Sequence, residues 1–222
     1  MRFDVISVFP ELFGPVFERG VVGRARAAGV IDIVCHDLRA FAPDPHRQVD
    51  DEPFGGGAGM VMKPEPIFAA VDSLRALNPG PVVLLEPWGT PLNQDLAREL
   101  AQLPGMIVVC GRYEGVDDRV RQGLADREIS IGEYVLSGAE IPAMVLIDCV
   151  ARLRPGVLGE ERSLSQDAFG ADPGGYPQFT RPAQFREMSV PEVLRTGNHE
   201  EIARWRRAHA RGRWGRMTEL MP

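Results

Sequence analysis

Residues 111–142 read GRYEGVDDRVRQGLADREISIGEYVLSGAEIP. The stretch holds two short glycine-punctuated loops, 111–115 and 131–138, with a charged helix-like segment between them and an apolar helix beyond. Glycine at such spacing lets a backbone turn through positive φ or approach a ligand closely. Arg112, Glu114, Asp117, Asp118, Glu133 and Glu140 set ionisable groups beside those glycines. The pattern fits neither a dinucleotide fingerprint nor a phosphate-cradling lysine loop, so it predicts a cleft of another kind.

Outward from that stretch, MIVVC (106–110) runs into the first loop, and VVLLE (82–86) leads into a similar turn, EPWG (86–89). Both are continuous apolar runs of strand length. Two further strands are expected in FDVISVF (3–9) and VIDIVCHDL (30–38). Helices alternate with them: one from Pro10 to Phe17, one over 20–28 closed by Gly29, and one over 64–77 with Ile67, Val71, Leu74 and Leu77 on one face. Asn93 is placed to cap a helix reaching Leu103, and 139–153 reads as a hydrophobic helix. Apolar strands alternating with helices predict a parallel α/β sheet, which receives ligands beyond the C-terminal ends of its strands.

Two segments resist this pattern. Residues 39–60 are rich in Pro, Gly and charge, and a long loop inside a compact domain is usually functional. Residues 155–182 show many breakers and little periodicity, which marks a connector. Beyond it the tail reads as helical from about Phe185, with Asn198 and Glu201 spaced as a capping pair. Ile202, Trp205 and His209 fall on one face of that tail, and Arg204, Arg207 and Arg211 on another.

Composition narrows the class. The chain has 222 residues, 44% hydrophobic and 25% charged, as in an ordinary globular protein. Its 24 glycines and 19 prolines exceed average usage and predict shaped loops. Without a long apolar run or a cleavable leader, the cytoplasm is expected, and Cys35, Cys110 and Cys149, each in apolar surroundings, read as reduced thiols. The net charge is −6, yet 195–216 holds seven arginines and two glutamates. An acidic body with a basic arm can meet phosphate despite its overall sign.

Several candidates for chemistry remain open at this level. GGGAG (55–59) lacks the lysine of a P-loop, but His46, Arg47, Asp50, Asp51 and Phe54 surround it. Asp167, in the connector, fits a general base brought in by closure, or an N-cap-like residue on a disordered connector. Arg152 fits a functional cation or a charge facing a helix C-terminus. The arginine stripe with Trp205 and Trp214 fits an RNA grip or a solvated face. The histidines lack metal-ligand spacing, and no serine sits in a nucleophile elbow.

At these residues the chain resembles the bacterial tRNA (guanine-N1)-methyltransferase family. The motifs that carry the likeness include FPELF (9–13), HRQVDDEPFGGGAGM (46–60), CGRYEGVDDRV (110–120), SIGEYVLSGAEIPAM (130–144), RLRPGVLG (152–159), SQDAF (165–169) and GNHEEIARWR (197–206). The resemblance implies a SPOUT-type α/β domain over 1–160 with a deep trefoil knot, a flexible linker over 161–182, and a small helical basic domain over 183–222 that holds tRNA. It implies a homodimer with shared active sites and S-adenosylmethionine as methyl donor. The substrate would be guanosine 37 of tRNA, beside the anticodon. Whether a divalent ion such as Mg2+ assists is left open.

Residue by residue, the resemblance assigns the cofactor to three loops. These are Leu85, Glu86, Pro87 and Gly89; Gly111, Tyr113 and Gly115; and Ile131, Gly132, Glu133, Tyr134, Val135, Leu136 and Gly138, with Pro142 behind. Asp167 matches the general base that takes the guanine N1 proton, Arg152 the cation that steadies the base, and Glu114 a nearby acid. His46, Arg47, Asp50, Phe54, Gly56 and Gly57 would close over the substrate, and Arg112, Arg181 and Arg204 would contact RNA. The chain departs from the family pattern at Ala139, Ala58 and the larger, charged EPWG turn, where Glu86 alters the adenosine pocket. Two readings stay as alternatives: a knotted methyltransferase for another RNA nucleotide, and a catalytically idle RNA-binding module.

Overall fold

The structure, a computed structural model, describes residues 1–159, 169 and 175–210. The chain divides into two compact units, Met1–Gly159 and Glu160–Pro222.

The first unit is built on a five-stranded sheet of β1 (Arg2–Ser7), β2 (Asp32–Asp37), β5 (Val82–Pro91), β6 (Gly105–Val109) and β7 (Arg127–Ser130), in the order β2-β1-β6-β5-β7. Every neighbouring pair is parallel, as the apolar runs predict. Helices cover both faces. α1 (Gly14–Phe17), α2 (Gly20–Ala27), α4 (Gln94–Leu100) and α6 (Glu140–Ala151) pack on one side, and α3 (Pro64–Arg75) and α5 (Asp118–Gly123) on the other. α3 starts with Pro64, whose missing N–H costs nothing at a helix start. It buries Ile67, Ala70, Val71 and Leu74 at helical spacing, each of the larger three contributing roughly 1.5–3 kcal/mol. Leu77, expected on that face, lies past the helix end and is exposed.

A buried polar cluster ties the sheet's N-terminal side. Asp4 is fully buried and accepts from Arg2 Nε at 2.7 Å and Asn78 Nδ2 at 2.8 Å, with His36 Nε2 at 2.8 Å. Burial pushes the Asp4 carboxyl up, but those hydrogen bonds outweigh it and hold it well below the usual range. The three cysteines are free, and burial raises all three thiols, Cys35 to about 11, which makes them unreactive.

The structure corrects four expectations. EPWG is not a turn that ends a strand: it lies inside β5, where Leu85 and Thr90 both stand opposite Ile129 and the residues between are looped out. β7 was not expected, because four residues with charge at one end give too short a period to read. Residues 39–60 are more ordered than their composition suggests. They contain a 3-10 turn at Leu38–Phe41 and the strand β3 (Asp50–Asp51), which pairs antiparallel with β4 (Val61–Met62). In the tail the helix begins only at α7 (His199–Ala208), preceded by a hairpin of β8 (Gln184–Phe185) and β9 (Met188–Ser189) and a 3-10 turn at Glu192–Arg195.

Asn198 caps α7 by accepting from the N–H groups of Glu200 and Glu201, half of the expected capping pair; its own N–H is taken by the Thr196 hydroxyl rather than by Glu201. Trp205 stacks on His209 at 4.1 Å between centroids and meets Phe179 edge-on, while Arg206 lies over Tyr176. Among the described residues no helix is long and apolar enough to cross a membrane.

Candidate functional site

β6, β5 and β7 are neighbours in the sheet, so the loops that follow β6 and β7 stand on either side of the bulge in β5. The 86–89 bulge, the 111–115 loop and the 131–138 loop thereby enclose a cleft of about 240 Å³. Its apolar lining comes from Leu85, Ile129, Leu136 and Ala139, and its mouth carries Trp88, Tyr113 and Tyr134, all exposed.

A buried ion pair fixes two of these loops to each other. Glu140, 1% exposed at the start of α6, accepts from Arg112 Nε at 3.0 Å, Arg112 Nη2 at 2.9 Å and Ser7 Oγ at 2.7 Å. Arg112 also donates to the Ser137 carbonyl at 3.3 Å, and its guanidinium lies 4.5 Å from the Phe9 ring centre. The Ala139 N–H reaches the Gly111 carbonyl at 2.9 Å. Gly138 is required here: a Cβ would come within 2.7 Å of both Arg112 Nε and Glu140 Oε2.

The bulge is held as closely. A Cβ on Gly89 would lie 2.6 Å from the Ile129 nitrogen, so only glycine lets β5 fold back onto β7. Tyr113 has φ of 61°, a left-handed conformation costly for an aromatic residue, in the loop that faces the cleft.

The 46–60 segment reaches this same site. The Glu114 N–H donates to the Met60 carbonyl at 3.0 Å, and the Met62 N–H to the Gly115 carbonyl at 3.0 Å. Its tip is open to solvent: Phe54 is fully exposed, and His46, Arg47, Gly56 and Gly57 are exposed around it.

Of the cofactor residues expected from sequence, Leu85, Glu86, Pro87, Gly111, Tyr113, Gly115, Ile131, Gly132, Tyr134, Val135, Leu136, Gly138 and Pro142 all line the cleft. Gly89 supports the wall from behind, and Glu133 is exposed outside the lining. Glu114 and Arg112 border the cleft, with Arg112 committed to Glu140. Trp88, Ile129 and Ser130 join the lining without a role read from the sequence, and Ala139, noted there only as a departure from the family pattern, joins them. The unanticipated β7 brings Ile129 and Ser130, and the looped-out bulge brings Trp88.

The remaining expected residues lie elsewhere. Arg152 is the C-cap of α6, twelve residues from Glu140 and so about 18 Å along the axis at 1.5 Å per residue. Arg181 and Arg204 are exposed in the second unit, while Trp205 is engaged by His209 and Phe179. Asp167 and Trp214 fall outside the described residues. No cluster of three metal-ligating side chains occurs among the described residues.

The family model described as tRNA (Guanine-1)-methyltransferase TrmD matches residues 1–221. The chain belongs to that family. Among TrmD relatives, the tRNA (guanine-N(1)-)-methyltransferase of Synechococcus sp. (strain JA-2-3B'a(2-13)) is 51% identical over 222 residues, spanning 100% of this chain and 88% of that protein. The protein so named from Moorella thermoacetica is 50% identical over 226 residues, 100% of this chain and 90% of its own length. The crystal structure of tRNA (m1G37) methyltransferase from Aquifex aeolicus matches with a TM-score of 0.79 at 42% identity, covering 94% of this chain and 88% of that one. The parallel α/β sheet, matched at this level, is the SPOUT-type fold expected of a TrmD enzyme.

Proposed function

We propose that this chain methylates N1 of guanosine 37 in tRNA, using S-adenosylmethionine, as a cytoplasmic homodimer. The observation that carries the reading is the three-loop cleft at the ends of β6, β5 and β7, in a chain matched to the TrmD family over residues 1–221. The residues suit a nucleoside donor. Leu85, Ile129, Leu136 and Ala139 offer an apolar slot for a purine ring, and close-packed glycine loops bring backbone polar groups to its edge. S-adenosylmethionine supplies an electrophilic methyl group on a sulfonium.

This chain's residues handle the acceptor. N1 of neutral guanine is a poor nucleophile, so Asp167 takes its proton while Arg152 stabilises the negative charge that spreads to O6. Glu114, at the edge of the cleft, borders the donor and the base. The 46–60 hairpin, bonded to the 111–115 loop, closes over the substrate. The basic helix of the second unit, with Arg204 exposed, holds the tRNA backbone. The three cleft segments are the knot loops of this reading.

Two features support a shared site. Arg152 stands at the far end of α6 from Glu140, which favours its being supplied to a bound base by a second subunit. α6 also leaves the apolar side chains of Ile141 and Val145 exposed, one turn apart.

The test is methyl transfer from labelled S-adenosylmethionine to tRNA transcripts with G or A at position 37, run with and without Mg2+. G37 transcripts are methylated and A37 transcripts are not. Asp167→Asn keeps cofactor binding and loses turnover by about 10²–10⁴-fold, the range of a general base. Methylation of A37 transcripts, or undiminished turnover by the variant, refutes the substrate or the base respectively.

A further inference from the structure

Glu86 occupies an unusual place in this cleft. It sits on the looped-out segment of β5, half-buried, among the lining residues. Among the described residues no protein group donates to its carboxyl or pairs with it, and Glu86 is not among the buried side chains left unsatisfied, so the half-buried carboxyl opens to the cleft. The charged group that acts on it is Glu128 on β7, itself 3.9 Å from Arg121. Arg112 and Glu114 are the other charged groups in the lining, with the phenols Tyr113 and Tyr134. Burial first, and Glu128 second, push the Glu86 carboxyl up to about 7. The cleft therefore presents an acid to which no protein group donates, and a carboxylate accepts only. A ribose diol supplies two adjacent O–H donors. A carboxylate at the C-terminal end of a parallel strand is well placed to receive them, as in other parallel α/β nucleotide sites.

We propose that Glu86 is a cofactor-positioning residue whose ionised carboxyl accepts hydrogen bonds from the ribose hydroxyls of the bound methyl donor. The proposal rests on the nucleoside reading of the cleft given above. Binding then favours the ionised form, so a proton leaves the protein when the nucleoside enters at mildly acidic pH. The sign follows: affinity rises with pH through the range where the carboxyl of the cofactor-free protein titrates and levels off above it. With that carboxyl at about 7 and held ionised in the complex, affinity at pH 8 exceeds that at pH 6 by about tenfold.

The experiment is calorimetric titration of the full-length protein with S-adenosylhomocysteine at pH 6 and pH 8, in buffers of different ionisation enthalpy. Wild type shows the rise in affinity and releases close to one proton per nucleoside at pH 6. Glu86→Gln binds more weakly at pH 8 and loses both the rise and the proton release. A 2′-deoxy analogue of S-adenosylhomocysteine removes most of the difference between wild type and variant. Binding by wild type with a flat pH profile, or a rise retained in Glu86→Gln, overturns the role of Glu86 and leaves the methyltransferase reading intact. An undiminished difference with the deoxy analogue removes the ribose contact. Failure of wild type to bind S-adenosylhomocysteine at either pH overturns both readings.

Discussion

Replacing Glu140 with glutamine tests what holds the cleft together. The carboxylate accepts from Arg112 and Ser7 while almost fully buried, and it joins the 111–115 loop, the start of α6 and the end of β1. Glutamine keeps the shape but removes the charge and turns an N–H group toward the guanidinium. Breaking a buried pair from one side costs about 3–5 kcal/mol. Arg112 keeps 20% side-chain exposure, the Ser137 carbonyl and the Phe9 ring, so the low end applies, about 3 kcal/mol. At ~2–4 °C per kcal/mol for a chain of this size, Tm falls by about 6–12 °C. S-Adenosylhomocysteine affinity falls by about fivefold, roughly 1 kcal/mol, because the loops must be ordered on binding. Thermal melts followed by circular dichroism and calorimetric titration read the two effects. In a double-mutant cycle with Arg112→Gln, the two losses fall short of additivity by about 1 kcal/mol or more. A Tm loss under about 2 °C, with unchanged affinity and additive losses, would refute the claim that this pair pins the loops.

Three further outcomes are expected. Asp4→Asn lowers Tm at neutral pH; because the Asp4 carboxyl lies well below its unfolded value, its contribution is complete above about pH 5 and declines as pH falls below the ordinary carboxylate range, so the gap between the two melting curves is narrower at pH 3 than at pH 7 but does not close there. Glu86→Gln stabilises the cofactor-free protein at pH 8 but not at pH 5, since a carboxyl raised to about 7 penalises the folded state only where it must ionise; equal melts at both values would count against that burial. Co-expressing Arg152→Ala with a cleft-blocking Gly138→Val partner restores turnover that neither shows alone, to about a quarter of wild type, because half the two-fold dimers then own one complete site. No recovery in that mixture contradicts a shared site.

Strands, helices and the cleft's position were legible where apolar periodicity was long enough to read. Runs such as VVLLE and MIVVC are buried on both faces and announce parallel strands by composition alone. The short β7 was invisible for the opposite reason: its register comes from pairing with β5, a contact between distant residues. The same pairing hides the bulge, since nothing in EPWG says that Thr90 will return to the partner Leu85 has just left. Glu140 stood among the ionisable residues of the 111–142 stretch, but its burial, and hence its hold on Arg112, arises only when β1 is laid beside β6. Trp205 shows the limit from the other side. Its spacing with arginines suggests a base-stacking face, whereas its ring is taken by His209 and Phe179.

The slipped pairing of β5 on β7 separates two tasks that usually compete. Leu85 and Thr90 meet the same residue, so the sheet's alignment before and after is indifferent to what the intervening residues are. Natural variation and laboratory redesign can therefore change the chemistry facing the nucleoside at Glu86, Pro87 and Trp88 with little penalty to folding, provided Gly89 stays. The wall of the cleft is an exchangeable cassette in an otherwise rigid frame, and donor preference in this lineage should drift there first.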